Sequence, residues 1–341
     1  MTTRRAWSRR ARRVVLVVAG VCLLPVLLAG AGFAALLGED TGSLAATVPA
    51  GGHDGLWLGH AWIDGRRTTS DLAALAARLR QTGIRDVFVH VGPLSDDGSL
   101  NPALRPRARW LLAGLHHQVP GLRVQAWLGD LVGPGRLDLA DPGTRAQVLG
   151  AATQVLSEGF DGIQYDMEPV PSGDRGYLEL LAATGVLTRG RHAVLSVAAD
   201  QIEPLPRLHA LQQWISGQPH WWSAGYLHAV ASRVNEVALM TYDTGVPAAA
   251  AYGGYVRVQT QLALAAVPRA TTVLIGLPAY HTSEPGHTGG ETVGAAIRGV
   301  RLALGAHRPR RPVGVALYAD YTATPADWAA YLAGWVRPTR T

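Results

Sequence analysis

Residues 160–169 of the chain have the sequence Phe-Asp-Gly-Ile-Gln-Tyr-Asp-Met-Glu-Pro. Polar and apolar side chains alternate in this segment, and successive side chains of a β-strand point to opposite faces. The polar face carries Gln164, Asp166 and Glu168. The apolar face carries Ile163, Tyr165 and Met167. This pattern predicts a strand whose apolar face packs against helices and whose polar face points into the interior of a barrel.

Short apolar runs alternate with helical patterns on both sides of this segment. The eight candidate strands are Leu56–Ile63, Asp86–Val91, Leu122–Leu128, Gly162–Met167, Ala193–Ala198, Glu236–Thr241, Thr272–Leu277 and Val313–Leu317. Amphipathic stretches separate them, such as Ser70–Arg80 with Ser70 as a candidate N-cap, Thr144–Leu156 and Glu291–Leu304. Eight strand–helix units over residues 55–341 predict an α/β protein with a (β/α)8 TIM barrel. A doubly wound sheet is the alternative, but no Gly-x-Gly-x-x-Gly turn follows the first strand.

The ends of the strands indicate where chemistry can take place, because the active groups of such barrels lie at the carboxyl ends. Asp166 and Glu168 end the fourth strand and lie about 6–7 Å apart along it. Burial and the neighbouring carboxylate would raise the pKa of Glu168, so that it keeps a proton for delivery to a glycosidic oxygen. Glu236 begins its strand at the opposite end of the barrel, and we expect a solvated strand start there.

The strand-four segment resembles the Asp-x-x-Asp-x-Asp-x-Glu motif of the family 18 glycoside hydrolases, the chitinase-like enzymes, which are TIM barrels. Three further segments match in the right order: Leu195–Ala198, Met240–Asp243 and Ile275–Tyr280. The first suits the family's strand five, the second resembles its Met-x-Tyr-Asp at strand six, and the third resembles its Gly-x-Pro-x-Tyr at strand seven. The resemblance spans roughly Trp57 to Trp328.

This resemblance implies a role for each matching residue. Glu168 would be the general acid and later the general base, and Asp166 would orient the substrate's 2-acetamido group and stabilise an oxazolinium intermediate. Tyr242 would donate a hydrogen bond to the acetamido carbonyl, and Asp243 would contact the sugar. In this family the substrate supplies its own nucleophile, so the resemblance implies retention without a metal or an organic cofactor.

Four more residues are candidates for substrate binding, and two of them depart from the family pattern. Gln164 stands where the family usually has its middle Asp, and we expect its amide to hydrogen-bond Asp166. Tyr318 stands where the family commonly has a Trp at the floor of the sugar site, so we expect a different sugar ring or a shallower pocket. Trp57 and Tyr280 either line the sugar cleft or pack in the core.

Other polar and aromatic residues allow two interpretations each. His90 and His281 end strands two and seven, and without a second ligand at metal spacing we interpret them as substrate-contacting or structural residues. Four aspartates also end strands and either bind sugar hydroxyls or cap helices: Asp64, Asp130, Asp200 and Asp320. Three tryptophans between strands five and six form either a sugar platform or helix contacts: Trp214, Trp221 and Trp222.

The composition excludes other classes of protein. Apolar residues make up 48% of the 341 residues and charged residues 16%, which is typical of a folded chain. The net charge is +6, but six of the 31 basic residues, all arginines, precede Val14, and the remaining 25 balance the 25 acids. The body is therefore neutral and offers no basic surface to nucleic acid. The single cysteine, Cys22, excludes a disulfide framework.

The N-terminal segment predicts a membrane anchor. Residues 14–37 carry no charge, and 24 residues at about 1.5 Å each suffice to cross a hydrocarbon layer of about 30 Å as a transmembrane helix. The Arg-rich residues 1–13 favour a cytoplasmic N-terminus and an extracytoplasmic body. A cleaved signal peptide, and hence secretion, is the alternative. Residues 38–54 are expected to be a linker to the barrel of residues 55–341, which we expect to be a monomer.

Together these observations predict a membrane-anchored, extracytoplasmic glycoside hydrolase that cleaves β-linked N-acetylglucosamine-containing glycans. Chitin oligomers and peptidoglycan-like polymers are both candidate substrates. The departures at Gln164 and Tyr318 leave a second hypothesis open, a catalytically inactive glycan-binding protein on the same barrel. A third is a barrel hydrolase that uses the same acids on a sugar without an acetamido group.

Overall fold

The computed structural model describes residues 23–24, 27–45, 53–282, 286–306 and 311–338. Its strands are β1 (Gly55–Leu58), β2 (Asp86–His90), β3 (Arg123–Leu131), β4 (Gly162–Glu168), β5 (Val194–Ala199), β6 (Gln201–Ile202), β7 (Trp221–Trp222), β8 (Glu236–Leu239), β9 (Thr272–Pro278) and β10 (Val313–Tyr318). Eight of them close into a parallel barrel in the order β1-β10-β9-β8-β5-β4-β3-β2. The predicted TIM barrel is confirmed. The short strands β6 and β7 pair separately in the crossover between β5 and β8.

Helices alternate with the barrel strands, as the sequence pattern predicts. They are α1 (residues 27–39), α2 (Thr69–Thr82), α3 (Ala108–Gln118), α4 (Pro142–Glu158), α5 (Arg175–Gly190), α6 (Leu208–Ser216), α7 (Ala224–Ala231), α8 (Ala249–Ala266), α9 (Val293–Ala306) and α10 (Pro325–Tyr331). The N-cap predicted at Ser70 is wrong. Thr68 caps α2, because Asp71 completes a capping box with it: the Asp71 carboxylate accepts from the Thr68 N–H at 2.8 Å.

The predicted strands match the observed ones to within three residues, except that β1 ends at Leu58 rather than Ile63. Residues His60–Trp62 form a 3-10 turn instead. Asp320, beyond β10, holds this turn by accepting hydrogen bonds from Gly59 N at 2.8 Å and Trp62 Nε1 at 2.6 Å. Asp320 therefore joins the two barrel strands at the point of closure, a role that neither of its predicted interpretations includes.

The apolar core has two layers, which fix the direction of the polar side chains. The larger layer lies between the strands and the helices and includes the apolar face of β4, where the Tyr165 hydroxyl bonds Thr184 Oγ1 at 2.9 Å. A small inner cluster fills the barrel beneath its mouth: Trp57, Phe88, Trp127, Ala238, Leu274, Ala316 and Ala319. The polar face of β4 points into this inner space, as its alternation predicts.

A charged network closes the opposite end of the barrel and contradicts the prediction for Glu236. Glu236 does lie at the end away from the strand termini, but it is buried rather than solvated. Arg123 pairs with Glu236 at 3.3 Å and also with Asp86, to which Gln125 donates a hydrogen bond at 2.8 Å. Burial and the Asp86 carboxylate raise the pKa of Glu236 to about 8. Its partners come from other strands, so nothing in its own segment indicates the burial.

The predicted transmembrane helix of residues 14–37 falls partly outside the described residues. None of the helices in the part of the chain that the structure describes combines the length and the apolar character needed to cross a membrane.

The described residues just before the barrel lie against α8 and α9. Gly253 and Gly254 permit the close approach, since a Cβ on Gly254 would come within 1.9 Å of the Leu36 carbonyl oxygen. Arg298 Nε bonds both carboxylate oxygens of Asp40 at 3.0 Å, and Arg257 donates to the Glu39 carbonyl at 2.7 Å. Residues 36–45 are thus attached to the outside of the barrel by backbone contact and by arginine side chains.

Candidate active site

A cavity of about 600 Å³ opens at the carboxyl ends of the barrel strands. Its lining includes side chains from β4, from the segment after β5, from the segment after β8 and from β10: Asp166, Glu168, Asp200, Tyr242, Asp243 and Tyr318. Five of these residues are predicted site residues, and Asp200 is predicted only as a sugar ligand or a helix cap. The parallel strands bring residues that are distant in sequence to one mouth of the barrel.

Asp166 is the acid deeper in the cavity, and one hydrogen bond holds it. Trp127 Nε1, from β3, donates to Asp166 Oδ2 at 2.8 Å. Oδ1 is buried and has no hydrogen-bond partner among the described residues. Burial raises the pKa of Asp166 to about 6, against the opposing effect of the Trp127 hydrogen bond. The unpartnered oxygen is free to accept a hydrogen bond from a bound molecule.

Glu168 lies two residues further along β4, at the top of the strand. Its side chain is open to the cavity, but protein surrounds it on the other sides. This partial removal from water raises the pKa of Glu168 well above its ordinary value, and the negative charges of Asp166, Asp200 and Asp243 raise it further. The Glu168 carboxyl therefore keeps its proton to higher pH than a free glutamate does, and it faces the space where a ligand would lie.

Asp200 is a third acid of this cavity, and the sequence gives little indication of it. It follows β5 directly and lines the same cavity as Asp166 and Glu168. Burial, with the charge of Asp166, raises the pKa of Asp200 to about 8. Three carboxyl groups thus share one cavity and retain protons at pH values where free carboxylic acids are ionised.

Gln164 and Trp57 lie below the cavity rather than in its wall. Both are buried, and Trp57 Nε1 donates to Gln164 Oε1 at 2.7 Å. The predicted hydrogen bond from Gln164 to Asp166 is absent in the described residues: Gln164 Nε2 has no partner, like Asp166 Oδ1. The Trp57 bond fixes which end of the amide points toward the tryptophan. Of the two interpretations of Trp57, the structure supports core packing.

Two tyrosines line the cavity, Tyr242 and Tyr318, and a third, Tyr280, packs against both of them. Tyr242 and Tyr318 are stacked, with ring centroids 5.3 Å apart and planes at 19°. Tyr280 meets both rings edge to face at 5.6 Å. Burial raises the pKa of Tyr242 well above its ordinary value, so its hydroxyl stays protonated and can donate a hydrogen bond. Tyr318, the residue predicted to form a sugar-stacking floor, therefore packs against the rings of Tyr242 and Tyr280.

Asp243 projects from a turn that its neighbours hold in place. Its φ is 56°, a left-handed conformation that few residues other than glycine adopt. Tyr280 donates its hydroxyl hydrogen to Asp243 Oδ1 at 2.6 Å, so Tyr280 acts on this carboxylate instead of lining the cavity. Buried Glu291 accepts the Asp243 N–H at 2.7 Å and the Thr244 N–H at 2.9 Å. The turn after β8 is thereby fixed.

A second cavity, of about 530 Å³, adjoins the first across Tyr318 and contains His90. Burial, followed by the charge of His60, lowers the pKa of His90 to about 4, so this ring is neutral at neutral pH. Trp127 borders this second space while bonding Asp166 in the first. A ligand longer than one ring therefore finds room on both sides of Tyr318.

His281 and the three tryptophans between β5 and β8 have different environments. His281 Nε2 is 2.8 Å from an Asp327 carboxylate oxygen, a structural pairing. Trp222 is buried and donates to the Val170 carbonyl at 2.8 Å, whereas Trp221 lines the first cavity. Trp214 on α6 is 82% exposed and packs against no core.

Comparison with known proteins finds no matching family model and no matching curated sequence. Solved structures with the same fold do match. A chitinase from Chromobacterium violaceum ATCC 12472 superposes with a TM-score of 0.60 at 17% identity, over 84% of this chain and 99% of that one. A class V chitinase from Pseudomonas fluorescens Pf-5 gives 0.57 at 14%, over 83% and 99%.

The spore cortex-lytic enzyme SleL of Bacillus megaterium QM B1551 is similar too, with a TM-score of 0.59 at 14% identity over 85% of this chain and 75% of that one. The chain thus has the fold of the family 18 chitinases and of this cortex-lytic enzyme, as the strand-four resemblance predicts. At these identities the likeness establishes the fold, and the chemistry must be argued from the site.

Proposed function

We propose that the protein is a glycoside hydrolase that cleaves β-linked N-acetylglucosamine-containing glycans with retention. The observation that carries the proposal is the position of Glu168 in the cavity beside Asp166, where burial and neighbouring carboxylates raise its pKa. The fold shared with chitinases and a cortex-lytic enzyme supports amino-sugar glycans as the substrate class. The two adjoining cavities support a substrate of more than one sugar ring.

In the proposed reaction, Glu168 gives its proton to the glycosidic oxygen as the bond from that oxygen to the anomeric carbon breaks. The carbonyl oxygen of the substrate's own acetamido group bonds to the anomeric carbon and forms an oxazolinium ion. Ionised Asp166 stabilises the positive charge on the acetamido nitrogen, while Tyr242 donates a hydrogen bond to the acetamido oxygen. Water then attacks the anomeric carbon, the bond from that carbon to the acetamido oxygen breaks, and the Glu168 carboxylate accepts the proton of that water.

The test of this proposal is Glu168→Gln, assayed on chito-oligosaccharides and on peptidoglycan fragments. We expect a loss in kcat of at least about 100-fold, because the amide cannot donate the proton. Glu179→Gln is the matched control, since Glu179 lies on the exposed side of α5 and pairs with Arg145. Unchanged turnover in Glu168→Gln would exclude Glu168 as the general acid.

A catalytically inactive glycan-binding protein is the second candidate, and Gln164 favours it because its amide leaves Asp166 without the neighbouring acid of the family motif. Prolonged incubation of the wild-type protein with chito-oligosaccharides separates the two. Cleaved ligand excludes a pure binding protein, and intact bound ligand excludes the hydrolase. A thiazoline inhibitor addresses the third hypothesis, because its inhibition requires a site for the acetamido group.

We also propose that the body acts outside the cytoplasm. The proposal depends on the arginine-rich residues 1–13 and the uncharged residues 14–37 that follow them. Protease treatment of intact cells that express the chain tests it. Degradation of the body without lysis agrees with the proposal, and protection until lysis contradicts it.

A further inference from the structure

Beside the cavity, the segments that follow β8 and β9 bring an imidazole close to two carboxylates. His287 Nδ1 lies 3.7 Å from Glu291 Oε2 and 4.0 Å from Asp243 Oδ1. One ligand atom from each of the three residues lies within 4.8 Å of the other two. Asp243 also lines the cavity, so the cluster opens onto it from one side.

The imidazole nitrogen in this cluster has no hydrogen-bond partner among the described residues. The His287 side chain is only 6% exposed, and its ring packs on Tyr280 with centroids 4.5 Å apart. Packing therefore holds Nδ1 toward the carboxylates. A buried nitrogen without a partner is costly, and a bound ion is one of the explanations for such an atom in a folded protein.

Both carboxylates keep acceptor capacity for that ligand. Glu291 Oε1 accepts three hydrogen bonds from Thr244 and Gly245. From the described residues, Glu291 Oε2 accepts one, from Asp243 N. Asp243 Oδ1 accepts one hydrogen bond, from the Tyr280 hydroxyl. Counting the contacts of the described residues, each of the two oxygens facing His287 accepts one hydrogen bond and keeps a lone pair. Neither carboxylate pairs with an arginine in the described part of the chain.

We propose that Asp243, His287 and Glu291 bind one divalent transition-metal ion, with Zn²⁺ as the best fit. The separations of 3.7 and 4.0 Å exceed hydrogen-bond lengths. Two ligands at about 2.1 Å from one ion lie about 3.4–3.6 Å apart at tetrahedral to trigonal angles. A small shift of the half-exposed Asp243 side chain closes that difference. One imidazole nitrogen with two carboxylate oxygens suits Zn²⁺ better than Mg²⁺ or Ca²⁺, which prefer oxygen ligands alone.

The bound ion would join the turn after β8 to the start of α9 and fix the carboxylate of Asp243 at the cavity wall. Three protein ligands leave a fourth position directed at the cavity, where water completes the coordination. The site shares Asp243 with the cavity wall, but the proposed acid Glu168 is not a ligand, and Zn²⁺ binding is measured without turnover. Failure of one proposal therefore leaves the other standing.

The experiment is calorimetric titration of the chelator-treated full-length protein with ZnCl₂. We expect one ion per chain in the wild type and an affinity at least about 100-fold weaker in His287→Phe, which keeps the ring packing on Tyr280 but removes the nitrogen. His281→Phe is the matched control, because His281 belongs to the same segment but pairs with Asp327. Asp243→Asn provides a second loss-of-ligand variant if His287→Phe does not fold.

Binding that both ligand variants weaken and the control retains supports the proposal. A wild type that binds no Zn²⁺ below about 100 μM, or binding that the ligand variants retain, overturns it. Proton NMR of the imidazole decides the rival explanation. A His287 resonance that stays protonated above pH 7 in the metal-free protein, with no response to Zn²⁺, would mean that an imidazolium bridges the carboxylates, and this also overturns the metal site.

Discussion

Replacement of Asp200 by Asn should make the folded protein more stable at neutral pH. Burial and the charge of Asp166 raise the pKa of Asp200 to about 8 in the folded protein, whereas the unfolded chain loses this proton near its ordinary value of 3.8. Between these values the folded state holds a proton that the unfolded state has released. Stability from this group is therefore complete below the lower value and is lost as the pH rises toward the upper one.

The size of the effect follows from the two pKa values. Each pH unit in that interval lowers the free energy of unfolding by about 1.4 kcal/mol, so the loss reaches about 3 kcal/mol by about pH 6. Asn is nearly the same shape and carries no proton to lose. We therefore expect Asp200→Asn to exceed the wild type in stability by up to about 3 kcal/mol at that pH.

Urea denaturation at several pH values between 5 and 8 measures this difference. The free energy of unfolding should fall less steeply with pH in Asp200→Asn than in the wild type, by about 1.4 kcal/mol per pH unit. Asp97→Asn is the control, because Asp97 is exposed and hydrogen bonds from Ser99 lower its pKa. Equal slopes in the wild type and Asp200→Asn would show that Asp200 is ionised in the folded protein and would refute the reasoning.

Two further substitutions test the neighbouring contacts. Trp127→Phe removes the hydrogen bond that favours the ionised form of Asp166, so the acidic limb of the pH profile of kcat/KM should move up by about one pH unit. Trp57→Phe is the control, because it removes a bond to a different residue and should leave the limb in place. Equal shifts in the two variants would contradict the assignment. Gly254→Ala should lower the free energy of unfolding by about 1–3 kcal/mol in urea denaturation, because the new methyl meets a backbone oxygen. Gly190→Ala, with open space around it, is the control and should not destabilise; two variants of equal stability would argue against the close contact.

The fold follows from local patterns to a large extent. Most barrel strands are short, mainly apolar runs of buried residues, and the alternation along β4 is visible in ten consecutive residues. The end of β1 differs from the predicted one because Asp320, near the opposite end of the chain, holds the residues after Leu58 in a turn. The burial of Glu236 was missed for the same reason, since Arg123 and Asp86 belong to other strands.

The candidate site shows the same difference between local motifs, which the sequence reveals, and contacts between strands, which it does not. Asp166, Glu168 and Tyr242 are predicted because each belongs to a motif with its own spacing, and the structure brings them to one cavity. Asp200 has no motif, and its significance arises from three-dimensional proximity to the other acids. The hydrogen bond expected between Gln164 and Asp166 does not form, because a tryptophan from β1 binds the amide oxygen. A single sequence does not contain these pairings between strands.

The attachment of residues 36–45 to α8 and α9 also bears on how the barrel would be tethered. A free tether lets a domain search a sphere whose radius grows with the length of the tether. Here the Gly254 contact and the arginine bonds to Glu39 and Asp40 hold this segment against the barrel. If α1 is held at a surface, these contacts would therefore connect the barrel to it in place of a free tether.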